Sequence, residues 1–113
     1  MKPFTILLLL GATPDWLKLT RTERSAFFAQ TIVPILGQCS AELEVRFYDS
    51  EYFHSRISDF IIIETHHLEP YQLFIEMVRD TKVYSEPYFQ VQEIIVGQEN
   101  AFRHFDELLN EPI

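Results

Sequence analysis

Apolar and polar positions along the chain alternate with two different periods, and the sharpest stretch runs from Ile57 to Thr65 (ISDFIIIET). Successive side chains of a strand point to opposite faces, so Asp59, Ile61 and Ile63 share one side and Phe60, Ile62 and Glu64 the other. Apolar groups on both sides are expected of a central strand whose two faces are both covered. Phe4 to Leu10 (FTILLLL) has the same doubly apolar character and predicts the first strand, with Gly11 to Trp16 as a turn containing Pro14. Glu42 to Asp49 (ELEVRFYD) alternates cleanly, with Leu43, Val45 and Phe47 against Glu44, Arg46 and Tyr48. Tyr88 to Val96 (YFQVQEIIV) predicts a fourth strand.

Helical spacing fills the intervals. Thr20 and Glu23 have the spacing of a capping box, which opens a first helix with Phe28, Thr31, Ile32, Ile35 and Leu36 on one face. Pro34 interrupts that face and predicts a kink or an end near Val33, with Gly37 as the stop. Ser50 to Arg56 and Asp80 to Pro87 read as loops. Between them Glu69 and Pro70 open a second helix striped by Tyr71, Phe74, Ile75 and Val78. Gln98 to Leu109 predicts a terminal helix with Ala101, Phe102, Phe105, Leu108 and Leu109 on one side.

The order βαββαβ plus a C-terminal helix predicts an α+β fold of ferredoxin-like type, a four-stranded antiparallel sheet with helices on one face. One domain over residues 1–113 suits this length. The chain's own helices cover only one side of the sheet. The other side would expose leucine and isoleucine, which predicts a homodimer in which two sheets face each other as a dimeric α+β barrel.

Composition narrows the function classes. Seventeen acidic against nine basic residues give a net charge of −8, which disfavours phosphate-rich partners such as nucleic acids. Lys2 followed by an apolar run imitates a signal peptide, but the run is short and no small-x-small cleavage site follows. No stretch approaches the length of a membrane span. The single cysteine, Cys39, has no partner for an internal disulfide, and a cytoplasmic location is expected. With three glycines there is no phosphate-cradling loop, Ser58 and Ser85 lack a nucleophile elbow, and no cofactor is expected.

Candidate chemistry lies on the strands. Arg46, Tyr48 and Glu44 occupy the polar side of the second strand, and antiparallel pairing would bring Arg46 near Asp59 or Phe60, depending on register. An Arg46–Asp59 pair would orient an anionic or carbonyl ligand through the guanidinium fork, or else serve as a structural salt bridge. Glu64 ends the third strand. His66 and His67 diverge in extended chain and His104 stands alone, so metal-ligand spacing is absent. His67 and His54 remain as candidate general bases, with a solvated histidine as the alternative. The aromatic share of 14% supplies Trp16, Tyr52, Phe53, Tyr84, Tyr88 and Phe89 near loops, where they line a pocket or plug the barrel ends.

In order along the chain stand Ala12-Thr13-Pro14-Asp15-Trp16-Leu17, Arg46-Phe47-Tyr48-Asp49, Ser58-Asp59, Glu64-Thr65, Arg79-Asp80-Thr81 and Pro87-Tyr88-Phe89. This succession, spanning nearly the whole chain, resembles the darcynin family of small bacterial proteins. The resemblance implies the dimeric α+β barrel superfamily and brings no activity or catalytic residue with it. That superfamily includes cofactor-free quinone-forming monooxygenases, haem-handling enzymes, muconolactone-type isomerases and stress proteins. Phe4 to Leu10 lacks the asparagine that the monooxygenases place there, and the second helix's apolar stripe lacks a haem-ligand histidine.

The expectation is therefore a homodimer that binds a small aromatic or hydrophobic organic molecule. Arg46, Tyr48, Asp59, Glu64 and His67 are its expected polar pocket groups. The alternatives are a cofactor-free monooxygenase- or isomerase-type enzyme using His67 or His54, and a structural or interaction module.

Overall fold

In the computed structural model, which describes residues 2–110, the doubly apolar strands occupy the middle of the sheet. Strands β1 (Phe4–Ala12), β2 (Glu44–Asp49), β3 (Asp59–Thr65) and β4 (Phe89–Gln98) lie in the order β2-β3-β1-β4, with every pairing antiparallel. This is the ferredoxin-like order. Ile6, Leu8, Ile61 and Ile63 face the helices and form the core with Ile35, Cys39, Leu43 and Phe74. Ile6 and Ile63 are opposite one another and fully buried.

The helical layer consists of α1 (Pro14–Leu17), α2 (Arg21–Phe27), α3 (Val33–Cys39), α4 (Leu68–Arg79) and α5 (Lys82–Ser85). A final helix, α6 (Ala101–Asn110), follows β4. The capping box at the start of α2 is formed: Glu23 N–H donates to Thr20 Oγ1 at 3.1 Å, and Thr20 N–H donates to Glu23 Oε1 at 2.8 Å. The Thr20 amide, and after it the Thr20 hydroxyl, hold the Glu23 carboxyl below its ordinary pKa.

Pro34 does not end the helix. A π turn over Phe28–Ile32 precedes it, with Val33 N–H reaching back five residues to the Phe28 carbonyl, and α3 then continues past Gly37 to Cys39. The wider turn accommodates a residue that lacks an amide hydrogen. Two predicted loops also contain helix. Pro14–Leu17 forms a short helix capped by Thr13, and Lys82–Ser85 one capped by Thr81, because each threonine hydroxyl takes an otherwise free amide.

Register corrects the expected Arg46 contact. Arg46 pairs with Ile62, while Asp59 pairs with Asp49. Arg46 and Asp59 therefore lie on opposite faces of the sheet, and no ion pair links them. Between β1 and β4 the pairing skips a residue: Leu9 pairs with Glu93 but Leu10 with Val91, leaving Gln92 as a bulge. Val91 before the bulge and Ile94 after it consequently both face the helix side, opposite Leu10 and Leu8. Among the described residues no helix is long and apolar enough to cross a membrane.

Candidate functional site

The helices do not close down on the whole sheet. Between them and the ends of β2 and β3 opens a cavity of about 310 Å3. Its floor is Leu8, Leu10, Ile61 and Val91 from the sheet, and Phe74, Ile75 and Val78 of α4 form one wall. Trp16, Phe27, Phe28 and Ile32 form another, and Phe47, Tyr84 and Phe89 narrow the rim. The lining is almost wholly apolar. The exceptions are Asp49 and Asp59, with the tyrosines Tyr48 and Tyr84.

Each wall is pinned by a turn residue. Thr13 is buried; its Oγ1 lies 2.6 Å from the Pro87 carbonyl oxygen and 3.0 Å from that of Tyr88, and its N–H donates to the Tyr88 carbonyl. This fastens the turn carrying Trp16 to the start of β4. Trp16 then packs on Phe27, Tyr88 and Phe89 with ring centroids 5.0–5.9 Å apart. Ser58 Oγ accepts from Ala12 N–H at 2.7 Å and ties β1 to the entry of β3 beside Asp59. Thr65 and Thr81 do similar work, bracketing α4 through bonds to the His67 and Val78 carbonyls.

Asp49 and Asp59 are cross-strand partners at the polar end of the cavity. One carboxylate oxygen from each, and one from Glu51, lie within 4.8 Å of one another. Burial raises the Asp59 pKa above the ordinary carboxyl range; Ser58 opposes this, while the negative charges of Glu51 and Asp49 add to it. Three carboxylates with no histidine, two of them exposed, do not by themselves constitute a metal site.

The residues singled out by the sequence separate into groups. Asp59 is at the cavity, which Tyr48 only borders: its ring stacks on Phe60 of the helix-free face at 4.8 Å, the rings 9° from parallel. Arg46 and Glu64 are on the helix-free face. There Arg46 holds Glu44 at 2.6 Å and Glu64 at 3.6 Å. His67 is the exposed N-cap residue of α4, away from the cavity lining. His54 is also outside it; its Nδ1 accepts from the Arg56 and Ile57 amides at 3.1 and 2.9 Å, shaping the loop before β3.

Asp49 was missed as a site residue. Its signal was present, because Leu43, Val45, Phe47 and Asp49 continue one alternating row, placing a carboxylate at the end of a helix-facing series.

The model of the family described as "Darcynin, domain of unknown function" matches residues 1–108. This chain belongs to the darcynin family. A darcynin homolog of Streptomyces avermitilis is 34% identical over 100 residues, covering 88% of this chain and 82% of its own. Darcynin 1 of Acinetobacter baumannii is 34% identical over 88 residues, covering 78% and 97%. In the darcynin chain described here, the motif residues Thr13, Ser58, Thr65 and Thr81 are the turn locks that frame the cavity. Among solved structures, a mutant chlorite dismutase from Candidatus Nitrospira defluvii superposes with a TM-score of 0.72 at 14% identity. The match covers 88% of this chain and 40% of that one. The same enzyme in complex with imidazole gives 0.73, covering 85% and 39%. The darcynin chain thus spans well under half the length of these neighbours, and at this identity the likeness is one of fold.

Proposed function

We propose that this protein binds a small, flat, mainly apolar organic molecule in the cavity between sheet and helices, and does so as a homodimer. The cavity carries this reading. Its volume of about 310 Å3 is at the lower end of small-molecule sites and suits one or two rings. Apolar walls supply the affinity, while Asp49 and Asp59 select a ligand with a hydrogen-bond donor or positive charge, such as a phenol or aromatic amine. Leu7, Leu9, Phe60 and Ile62 share the helix-free face, and pairing of two such faces removes them from water. Arg46 and Glu64 then belong to the subunit interface rather than to the ligand.

Trp16 is the only tryptophan and stands in the cavity wall, so its emission reports occupancy. Titration with one- and two-ring phenols and aromatic amines should change that emission saturably. Phe47→Ala, at the rim, should weaken binding on the order of tenfold, whereas Arg46→Ala should leave it unchanged. If no probe in the series alters the emission, and native mass spectrometry finds no retained molecule in protein purified from cells, the binding reading is wrong.

The raised pKa of Asp59 favours a second reading, proton transfer on a bound ligand. A half-buried carboxyl beside an apolar cavity is suited to accept and return a proton, as an isomerase requires. Turnover lost in Asp59→Asn with binding retained would distinguish it from simple binding.

A further inference from the structure

Among the described residues, two apolar surfaces besides the bare face of the sheet stand largely in water, and they are the kind that cover each other. One is α6. Phe102 is 74% exposed, Phe105 58%, Leu108 53% and Leu109 85%, on a helix whose polar side carries Arg103, Asp106 and Glu107. The other is the helix-facing side of the second half of β4, where Ile94 and Val96 are each 46% exposed. There the sheet continues beyond its own helical layer. Only Glu99 and Asn100 separate β4 from α6, and the helix makes little contact with any other element. A compact chain of this length has a radius of gyration of about 13 Å. The observed value is 17.1 Å, with a longest extent of 63 Å against 32 and 19 Å in the other directions.

A ten-residue helix is not stable alone in water, so an arm of this length needs a surface to lie on. We infer that α6 is an exchanged arm: it docks with its Phe102, Phe105 and Leu109 side on Ile94 and Val96 of a second copy of this chain. The inference rests on the homodimer of the preceding section and names the segment that fastens it. A second copy is the occupant because one chain carries both the arm and the uncovered strand, so a two-fold axis satisfies both at once. The apolar side chains concerned expose on the order of 600 Å2 per chain, roughly 1,200 Å2 for the reciprocal pair, which reaches the range of stable interfaces. An arm that stands clear of its own body also leaves the monomer fold intact when it is altered.

The test uses full-length protein. Phe102→Asp with Phe105→Asp should leave the circular dichroism and the buried core unchanged and shift the native mass from dimer toward monomer, with at least a tenfold weaker dimer. Because a charge pair could disturb the helix, a second measurement uses Phe105→Cys and Val96→Cys made as separate chains of distinguishable mass. Mixed under mild oxidation, they should form a disulfide joining the two different chains; Cys39 is buried and does not compete. A wild-type monomer would overturn the dimer and the arm together. A wild-type dimer that neither the double aspartate variant weakens nor the cysteine pair cross-links would overturn the arm alone.

Discussion

Asp59 illustrates how a single position can work against stability. Its ordinary carboxyl pKa is raised on folding, chiefly because the group is half removed from water beside apolar neighbours. The folded state therefore holds this proton more tightly than the unfolded chain does. Its contribution is fully present below the unfolded pKa and is lost as pH rises through the raised folded value. Asp59→Asn, which keeps the shape and cannot ionise, should flatten that decline just above the ordinary carboxyl range. It should also raise the neutral-pH Tm by roughly a few degrees, since the group is only half-buried and partly screened. Thermal melts of both proteins between acid and neutral pH would show it; parallel profiles would mean that Asp59 ionises freely. Cys39 carries the same physics in its inert form, burial pushing the thiol pKa up.

At the scale of elements, the turns determine where the cavity walls stand. Thr13 joins α1 to the beginning of β4 through two carbonyls and caps the helix that carries Trp16. Thr13→Val keeps the Thr13 amide on the Tyr88 carbonyl but leaves the Pro87 carbonyl without its hydroxyl donor and α1 without its cap, and should cost about 1–3 kcal/mol, read as a lower midpoint in urea with an unchanged slope. The strands were legible in the sequence because two-residue alternation is a direct image of which side meets the helices. Ile61, Ile63, Phe60 and Ile62 fall where that alternation puts them. Pro34 marked the irregularity before Val33 but not that the helix resumes, because the i−4 carbonyl it leaves without a donor can be absorbed by a π turn, and nothing local distinguishes a wide turn from a break. The short helices at Pro14 and Lys82 were missed for a related reason: four residues show no period, and their only mark is a threonine cap. For the site, alternation assigned both Asp59 and Arg46 to a face but could not name the cross-strand partner of Arg46, because pairing register depends on both strands at once.

At the scale of the molecule, the sheet is a layer with one side packed by helices and one side bare. Ile62 is on the bare side, opposite Arg46 and Leu7. Ile62→Glu should therefore be tolerated within one chain, where Arg46 can receive the carboxylate, and should disfavour the facing of two sheets. Native mass spectrometry should find it mainly monomeric, with its melting temperature little changed after allowing for dilution; a persistent dimer would move the subunit contact off this face. The bulge at Gln92 has a further consequence for this layered plan. In a strand, residue number is a parity: odd and even address different worlds. Before Gln92 the odd positions of β4 address the helices, and after it the even ones do. Loss of that one residue would not shorten a loop. It would straighten the strand and leave Val91 on Leu10, Glu93 on Leu9 and Ile94 on Leu8, so Ile94 and Ile95 would keep their faces. The bulge is thus a spare place in the count, where this strand can lose a residue and keep both of its surfaces as they are.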